Sequence, residues 1–259
     1  VDRARATVGI DGVTVGEALD GIGYAGTDAP TPVHAYVELH IEQGPVLEQE
    51  GITIGVVEGV QGISWTEVTV TGVSNHAGTT PLRLRHDAGW VAGSMIAFVR
   101  SMARALGGDQ IATVGSLRLH PDLVNVIPNR AVFTLDLRNT DEAVLQQAEA
   151  QAFAELDRLA AQEGVTVQHR SLARFEPVRF DSALVDRVEA TAQGLGLSTR
   201  RMPSGAGHDA QMLARICPAA MIFVPSAGGI SHNVKEHTEP ADLEAGANVL
   251  LHVLWSLAQ

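Results

Sequence analysis

Residues 63–71, Ile63-Ser64-Trp65-Thr66-Glu67-Val68-Thr69-Val70-Thr71, alternate along the chain as a half-buried β-strand does. Their periodicity opens a regular stretch. Leu84–Leu106 reads as a long helix carrying Trp90, Val91, Met95, Ile96 and Val99. Ile111–His120 and Arg130–Arg138 alternate again, Thr140-Asp141-Glu142 offers a helix start, and helical periodicity runs to about Glu163. Val165–Leu172 is a final strand. The order strand–helix–strand–strand–helix–strand is that of the ferredoxin-like split unit. It predicts a compact α+β domain over residues 62–175.

The flanks have a different character. Val15–Leu19 reads as a short helix before a Gly/Asp/Pro-rich loop reaching residue 30. His34–Glu42 and Ile52–Val60 read as strands, and Ser182–Gln259 holds a helix, the apolar strand Ala219–Val224 and a terminal helix over Ala241–Ala258. Both flanks are α/β in pattern. The expected architecture is therefore one discontinuous α/β domain, made of residues 1–61 and 176–259, interrupted by the smaller α+β domain.

Composition narrows the function. The 45% hydrophobic and 19% charged content belongs to a globular chain. The net charge of −12 argues against a nucleic-acid surface. No apolar run approaches the roughly 18 residues of a membrane span, and no basic, apolar leader precedes a cleavage site. The single cysteine, Cys217, excludes an internal disulfide and fits a reducing compartment, so the expected location is the cytoplasm. There is no G-x-S-x-G elbow, and no G-x-G-x-x-G follows a strand with an acidic partner. Cys217 beside an apolar strand reads as a buried, inert thiol. Metal-assisted hydrolysis is the reaction class that remains.

The chemistry gathers in turn-like segments. In Glu38-Leu39-His40-Ile41-Glu42-Gln43-Gly44-Pro45, strand alternation puts Glu38, His40 and Glu42 on one side and Leu39 and Ile41 on the other. Either this is a solvated edge, or His40 is a metal ligand with carboxylates beside it. Ser74-Asn75-His76-Ala77-Gly78-Thr79-Thr80-Pro81 places His76 at a helix entry, suited to donate to an oxyanion, or incidental beside a capping threonine. Asn125-Val126-Ile127-Pro128 is a turn between strands. Arg138 closes Asp136-Leu137-Arg138, where it grips a carboxylate or forms a surface ion pair. Ser204-Gly205-Ala206-Gly207-His208-Asp209-Ala210 and Ser226-Ala227-Gly228-Gly229-Ile230-Ser231-His232-Asn233 pair histidines with glycine-rich turns. His34, His86, His120, His169, His237 and His252 lack such settings and read as surface or core residues.

Taken in order, ELHIEQGP, NHAGTTP continuing through Leu82-Arg83-Leu84-Arg85-His86-Asp87-Ala88, NVIPN with FTLDLR, SGAGHDA and ISHNVKEHTEP resemble a known family. It is the metal-dependent amidohydrolases that include N-carbamoyl-L-amino acid hydrolases, β-ureidopropionases and allantoate amidohydrolases, within the aminoacylase and zinc-exopeptidase group. The resemblance implies a zinc-exopeptidase-like catalytic domain with an inserted lid that also builds a homodimer. It implies His40 as a ligand of one ion of a dinuclear Zn or Mn site and His232 as a ligand of the other. Gln43 resembles a substrate-holding residue, His76 the lid histidine that steadies the oxyanion, and His208 a further hydrogen-bonding group of the pocket. Asn125 and Arg138 resemble the pair gripping the substrate carboxylate, with lid residues completing the partner subunit's site. The reaction implied is hydrolysis of the ureido C–N bond of an N-carbamoyl amino acid, releasing ammonia and carbon dioxide.

In the family, another histidine ligand, a bridging aspartate and a glutamate pair lie upstream of the position matching Val1. Since a catalytic zinc generally takes three protein ligands, the expectation is that this polypeptide alone holds one ion or none and does not turn over ureido substrates. Residues Arg83–Asp87 resemble the carbamoyl branch; allantoate hydrolysis is the enzyme alternative. The other is a non-catalytic dimerisation module.

Overall fold

The computed structural model describes residues 2–9, 11–27 and 31–259; positions 28–30 of the expected loop lie outside them. The chain divides into two compact units, Val1–Val33 and His34–Gln259. The first holds α1 (Asp2–Arg5) and α2 (Val15–Gly21), the expected short helix. Its start is a capping box: Thr14 Oγ1 accepts from the Glu17 N–H at 3.1 Å, and the Glu17 carboxylate accepts from the Thr14 N–H at 2.8 Å.

In the second unit the chain runs through β1 (Tyr36–Ile41), α3 (Val46–Glu50), β2 (Ile54–Val60), β3 (Gly62–Thr71) and α4 (Ala88–Leu106). There follow β4 (Ile111–Thr113), β5 (Leu117–His120), β6 (Arg130–Asn139), α5 (Glu142–Glu163), β7 (Thr166–Phe175) and β8 (Val178–Arg179). The last elements are α6 (Ser182–Gly194), β9 (Thr199–Ser204), α7 (Asp209–Leu213), β10 (Ala219–Val224) and α8 (Pro240–Leu257). Together they make a mixed α/β fold with two sheets. No helix among the described residues is long and apolar enough to cross a membrane.

The first sheet runs β1-β10-β2, with β8 and β9 also pairing β2. β1 is parallel to β10 and β9 parallel to β2, while β10 and β8 are antiparallel to β2. Every residue of β10 is buried, as a strand covered on both faces requires, and this is why Ala219–Val224 carries no polar alternation. Helices α6 and α8 close over β10, giving a core that includes Leu184, Val188, Ile222 and Val249. Gly246 sets how near α8 comes: a Cβ there would sit 2.6 Å from Val224 Cγ1 and 2.7 Å from Leu39 Cδ1.

The second sheet is antiparallel, ordered β4-β6-β3-β7 with β5 also on β6. Val68 faces Phe133, and Val70 faces Ala131, across the β3–β6 ladder. Those side chains are buried against Met95 of α4 and Leu156 of α5. The opposite parity, Trp65 with Asp136 and Ile63 with Arg138, faces away from that core. The chain passes between the sheets twice, at Gln61 and at Glu176–Pro177.

Several boundaries move for local reasons. The expected helix from Leu84 begins at Ala88, because Asp87 Oδ1 caps it through the Trp90 N–H at 3.0 Å. Leu82–Leu84 is instead a separate 3-10 turn, and His86 bridges to Val73. The expected strand 111–120 is two strands, interrupted where the Thr134 N–H turns to the Ser116 carbonyl at 3.1 Å. Strand β9 was hidden in the sequence because Thr199–Ser204 contains basic residues and a proline and lies at a sheet edge.

Two glycine substitutions separate packing from propensity. Gly246→Ala overpacks the α8–β1–β10 contact and lowers unfolding free energy by about 1–3 kcal/mol. Gly93→Ala, on α4 with nothing within 4 Å of the new Cβ, raises it by about 0.5–1 kcal/mol. Urea unfolding of both variants measures the two signs.

Candidate functional site

The β1–β10 register places Glu38 beside Met221 and His40 beside Phe223, on one face of the sheet. The carboxylates on that face divide their work. Glu42 caps α3, accepting from the Val46 and Leu47 N–H groups at 2.9 and 2.8 Å. Glu38 Oε2 accepts from the Ala210 N–H at 2.8 Å, which fixes its other oxygen 3.6 Å from His208 Nδ1. The His40 and His208 rings meet edge-on, centroids 4.7 Å apart, with Phe223 against both.

Glu38, His40 and His208 bring one ligand atom each within 4.8 Å of one another. His40 Nδ1 donates to the Ile41 carbonyl at 2.8 Å, so the neutral ring keeps the lone pair on Nε2. A backbone carbonyl on one imidazole nitrogen is the usual way to aim the other at a metal. His208 is nearly sealed, its side chain 2% exposed. Burial, then the neighbouring His40, pushes the His208 imidazole down to about 4. Both the protonation state and the donor set suit a divalent cation.

His40 and His208 border a cavity of about 1140 Å³ that also receives Gln43, Arg138 and His232. Gln43 and His232 are both left-handed, with φ of 57° and 55°, a conformation that costs energy for non-glycine residues and recurs at functional sites. Gln43 is tied to both ends of the second glycine-rich turn: its N–H donates to Ser226 Oγ and its Nε2 to Ser231 Oγ, each at 3.0 Å. The Ser231 hydroxyl and the His232 N–H in turn hold the Glu236 carboxyl below its ordinary range. Arg138 reaches from the second sheet. Its Nε and Nη2 fork onto Asp136 at 2.9 and 2.8 Å, and Nη1 donates to the Gly205 carbonyl at 2.6 Å. One N–H on each terminal nitrogen is left over, and the guanidinium lies over Trp65, 5.7 Å from its ring centre.

His76 and Asn125 do not border this cavity among the described residues. They lie together elsewhere, where the Ala77 N–H donates to the Asn125 carbonyl at 2.9 Å and Val126 bridges His76. His76 is not incidental to its turn: Nδ1 accepts the Gly78 and Thr79 N–H groups at 3.1 and 3.2 Å. In the neutral ring the proton is then on Nε2. Both residues are exposed. The structure thus gathers His40, Gln43, Arg138, His208 and His232 in one place, and His76 with Asn125 in another. Glu38 joins the first group; its even spacing from His40 marked it in the sequence as a carboxylate beside that histidine, without a ligand role of its own. Asp136 and Trp65, which hold Arg138, carried only the strand parity.

The pattern described as peptidase family M20/M25/M40 matches residues 12–256. An N-carbamoyl-L-amino-acid amidohydrolase of Rhizobium meliloti is 38% identical over 261 residues, covering 100% of this chain and 63% of the relative. An allantoate amidohydrolase of Escherichia coli is 37% identical, covering 99% of this chain and 64% of the relative. Among solved structures, an amidase of the hydantoinase/carbamoylase family from Burkholderia multivorans superposes with a TM-score of 0.93 at 45% identity. That superposition covers 99% of this chain and 63% of the other. The chain spans less than two thirds of the length of each.

The depressed His208 pKa carries a pH signature. An unfolded histidine binds its proton below about 6.5, whereas folded His208 binds it only near 4. The unfolded state therefore holds more protons across that window, and this part of the stability is lost as pH falls through it. Relative to His208→Gln, the native chain should lose up to roughly 1.4 kcal/mol per pH unit between about pH 6 and 4.5. A pH-independent difference in urea unfolding contradicts the assignment.

Proposed function

Since the chain belongs to peptidase family M20/M25/M40, we propose that its cavity is the substrate site of a metal-dependent amidohydrolase that cleaves the ureido C–N bond of N-carbamoyl amino acids. The observation that carries this reading is the convergence of His40, His208, Arg138 and Gln43 around one space, with a Glu38 oxygen within 4.8 Å of a ligand nitrogen of each histidine. A dicoordinating nitrogen pair with a carboxylate suits a cation, and a guanidinium with spare donors suits a substrate carboxylate. The Rhizobium meliloti relative, named for N-carbamoyl-L-amino acids, supports the substrate class.

We assign Glu38, His40 and His208 to one divalent ion and His232 to a second, zinc or manganese in each case. A bound ion supplies polarisation of the ureido carbonyl and an acidified water. This chain's residues supply the rest. Arg138, pre-aimed by Asp136 and Trp65, takes the substrate carboxylate. Gln43, held by Ser226 and Ser231, positions the ureido group.

We further assign residues 62–175 to a ferredoxin-like lid inserted between the catalytic segments 1–61 and 176–259. The separate core and the strand order β7-β3-β6-β4 favour it. The exposed pair His76 and Asn125 then completes the site of a second copy in a homodimer, where the His76 Nε2–H steadies negative charge on the ureido oxygen. The location expected for such a protein is the cytoplasm. Allantoate, which also carries a ureido group and a carboxylate, is the second reading, favoured by the Escherichia coli relative.

Calorimetric titration of the zinc- or manganese-loaded chain with N-carbamoyl-L-amino acids, N-carbamoyl-β-alanine and allantoate tests this. Binding of the N-carbamoyl ligands is expected, falling roughly 10- to 100-fold in Arg138→Lys, which keeps the charge but loses the fork. Preference for allantoate selects the second reading. Failure of every ureido carboxylate to bind overturns both.

A further inference from the structure

We propose that Ser204 sets the tautomer of His208, holding its ring proton on Nε2 so that the Nδ1 lone pair faces Glu38 and His40. Ser204 is 1% exposed at the end of β9. Its hydroxyl oxygen lies 3.1 Å from the Ala206 carbonyl oxygen, 3.1 Å from the Ala206 nitrogen and 2.8 Å from His208 Nε2. The first of these can only accept and the second can only donate. A hydroxyl has one proton to give. If that proton goes to the Ala206 carbonyl, the contact with the ring must be made by a proton on Nε2.

The other tautomer satisfies less. It takes the serine proton for Nε2 and leaves the Ala206 carbonyl without that donor. It also turns an Nδ1–H toward Glu38 Oε1, which at 3.6 Å lies beyond hydrogen-bond reach. All the contacts of the Ser204 hydroxyl close only around the Nε2–H ring.

The tautomer matters through the assignment of Glu38, His40 and His208 to a cation, on which the functional part of the inference rests. A ring protonated on Nδ1 would present a donor where a ligand is needed. Ser204 does not itself border the cavity. It is a positioning residue, acting through His208.

Long-range 1H–15N spectra of the chain labelled at histidine distinguish the two tautomers directly. In the metal-free native chain, His208 is expected as the Nε2–H form. Ser204→Ala should move it toward Nδ1–H, and Ser204→Thr, which keeps the hydroxyl, should restore it. Zinc affinity should drop roughly 10- to 100-fold in Ser204→Ala and recover in Ser204→Thr. His169, stacked on Phe153 at 4.7 Å in the other sheet's half of the molecule, reports that each variant is folded. An Nδ1–H ring in the native chain overturns the proposal, whether or not the alanine variant folds. So does a folded Ser204→Ala with tautomer and affinity unchanged. Zinc that leaves the His40 and His208 signals unmoved defeats the cation assignment instead, while the tautomer of the metal-free ring still decides the role of Ser204.

Discussion

The parallel pairing of β1 with β10 is the constraint on which the candidate site depends. β10 is buried on both faces, so it has a single place in the sheet, and the strand beside it inherits a fixed register. A slip of one residue would send Glu38 and His40 into the apolar layer under α8 and bring Leu39 and Ile41 to the cavity. Gly246 makes the register costly to lose, because α8 already lies as close to Leu39 and Val224 as carbon atoms allow. Glu38 is then locked from the far side by the first turn of α7, whose Ala210 N–H it accepts. Sheet register, helix packing and a capped loop together aim three donor groups at one point.

The second sheet contributes differently. Its core is separate and its helices cover one face, leaving the other parity free for Trp65, Asp136 and Arg138. Arg138 spans the gap to the Gly205 carbonyl. One guanidinium is thus held by its own strand, by an aromatic face and by the turn that carries His208. Such a pre-aimed cation loses little rotamer freedom when it meets a planar anion.

Much of this was legible in the chain. Period-2 and period-3.6 patterning located β3, α4, β6 and α5, and Asp141 marked the start of α5 through its side-chain contacts with the Ala143 and Val144 N–H groups. What escaped were features set by distant partners. Among the described residues β9 is an edge strand that pairs only with β2, so its polar sequence shows no alternation to read. Asp87 outranked the helical periodicity before it because a cap is a local hydrogen bond, and periodicity is not. In the site, histidines beside glycine-rich turns were visible as unusual settings. Which of them would meet was not, since His76 and Asn125 are joined by backbone pairing between two loops far apart in sequence. Ser204 and Glu38 likewise acquire their roles only when β9 and β1 are brought to the same turn.

A cation held by Glu38, His40 and His208 underlies the proposed chemistry. Anomalous diffraction at the zinc edge from zinc-loaded crystals of the chain measures that directly. A peak is expected at bonding distance from His40 Nε2, His208 Nδ1 and a Glu38 oxygen, about 2.0–2.2 Å from each. A zinc-loaded crystal whose only peaks lie away from His40 and His208 would contradict it.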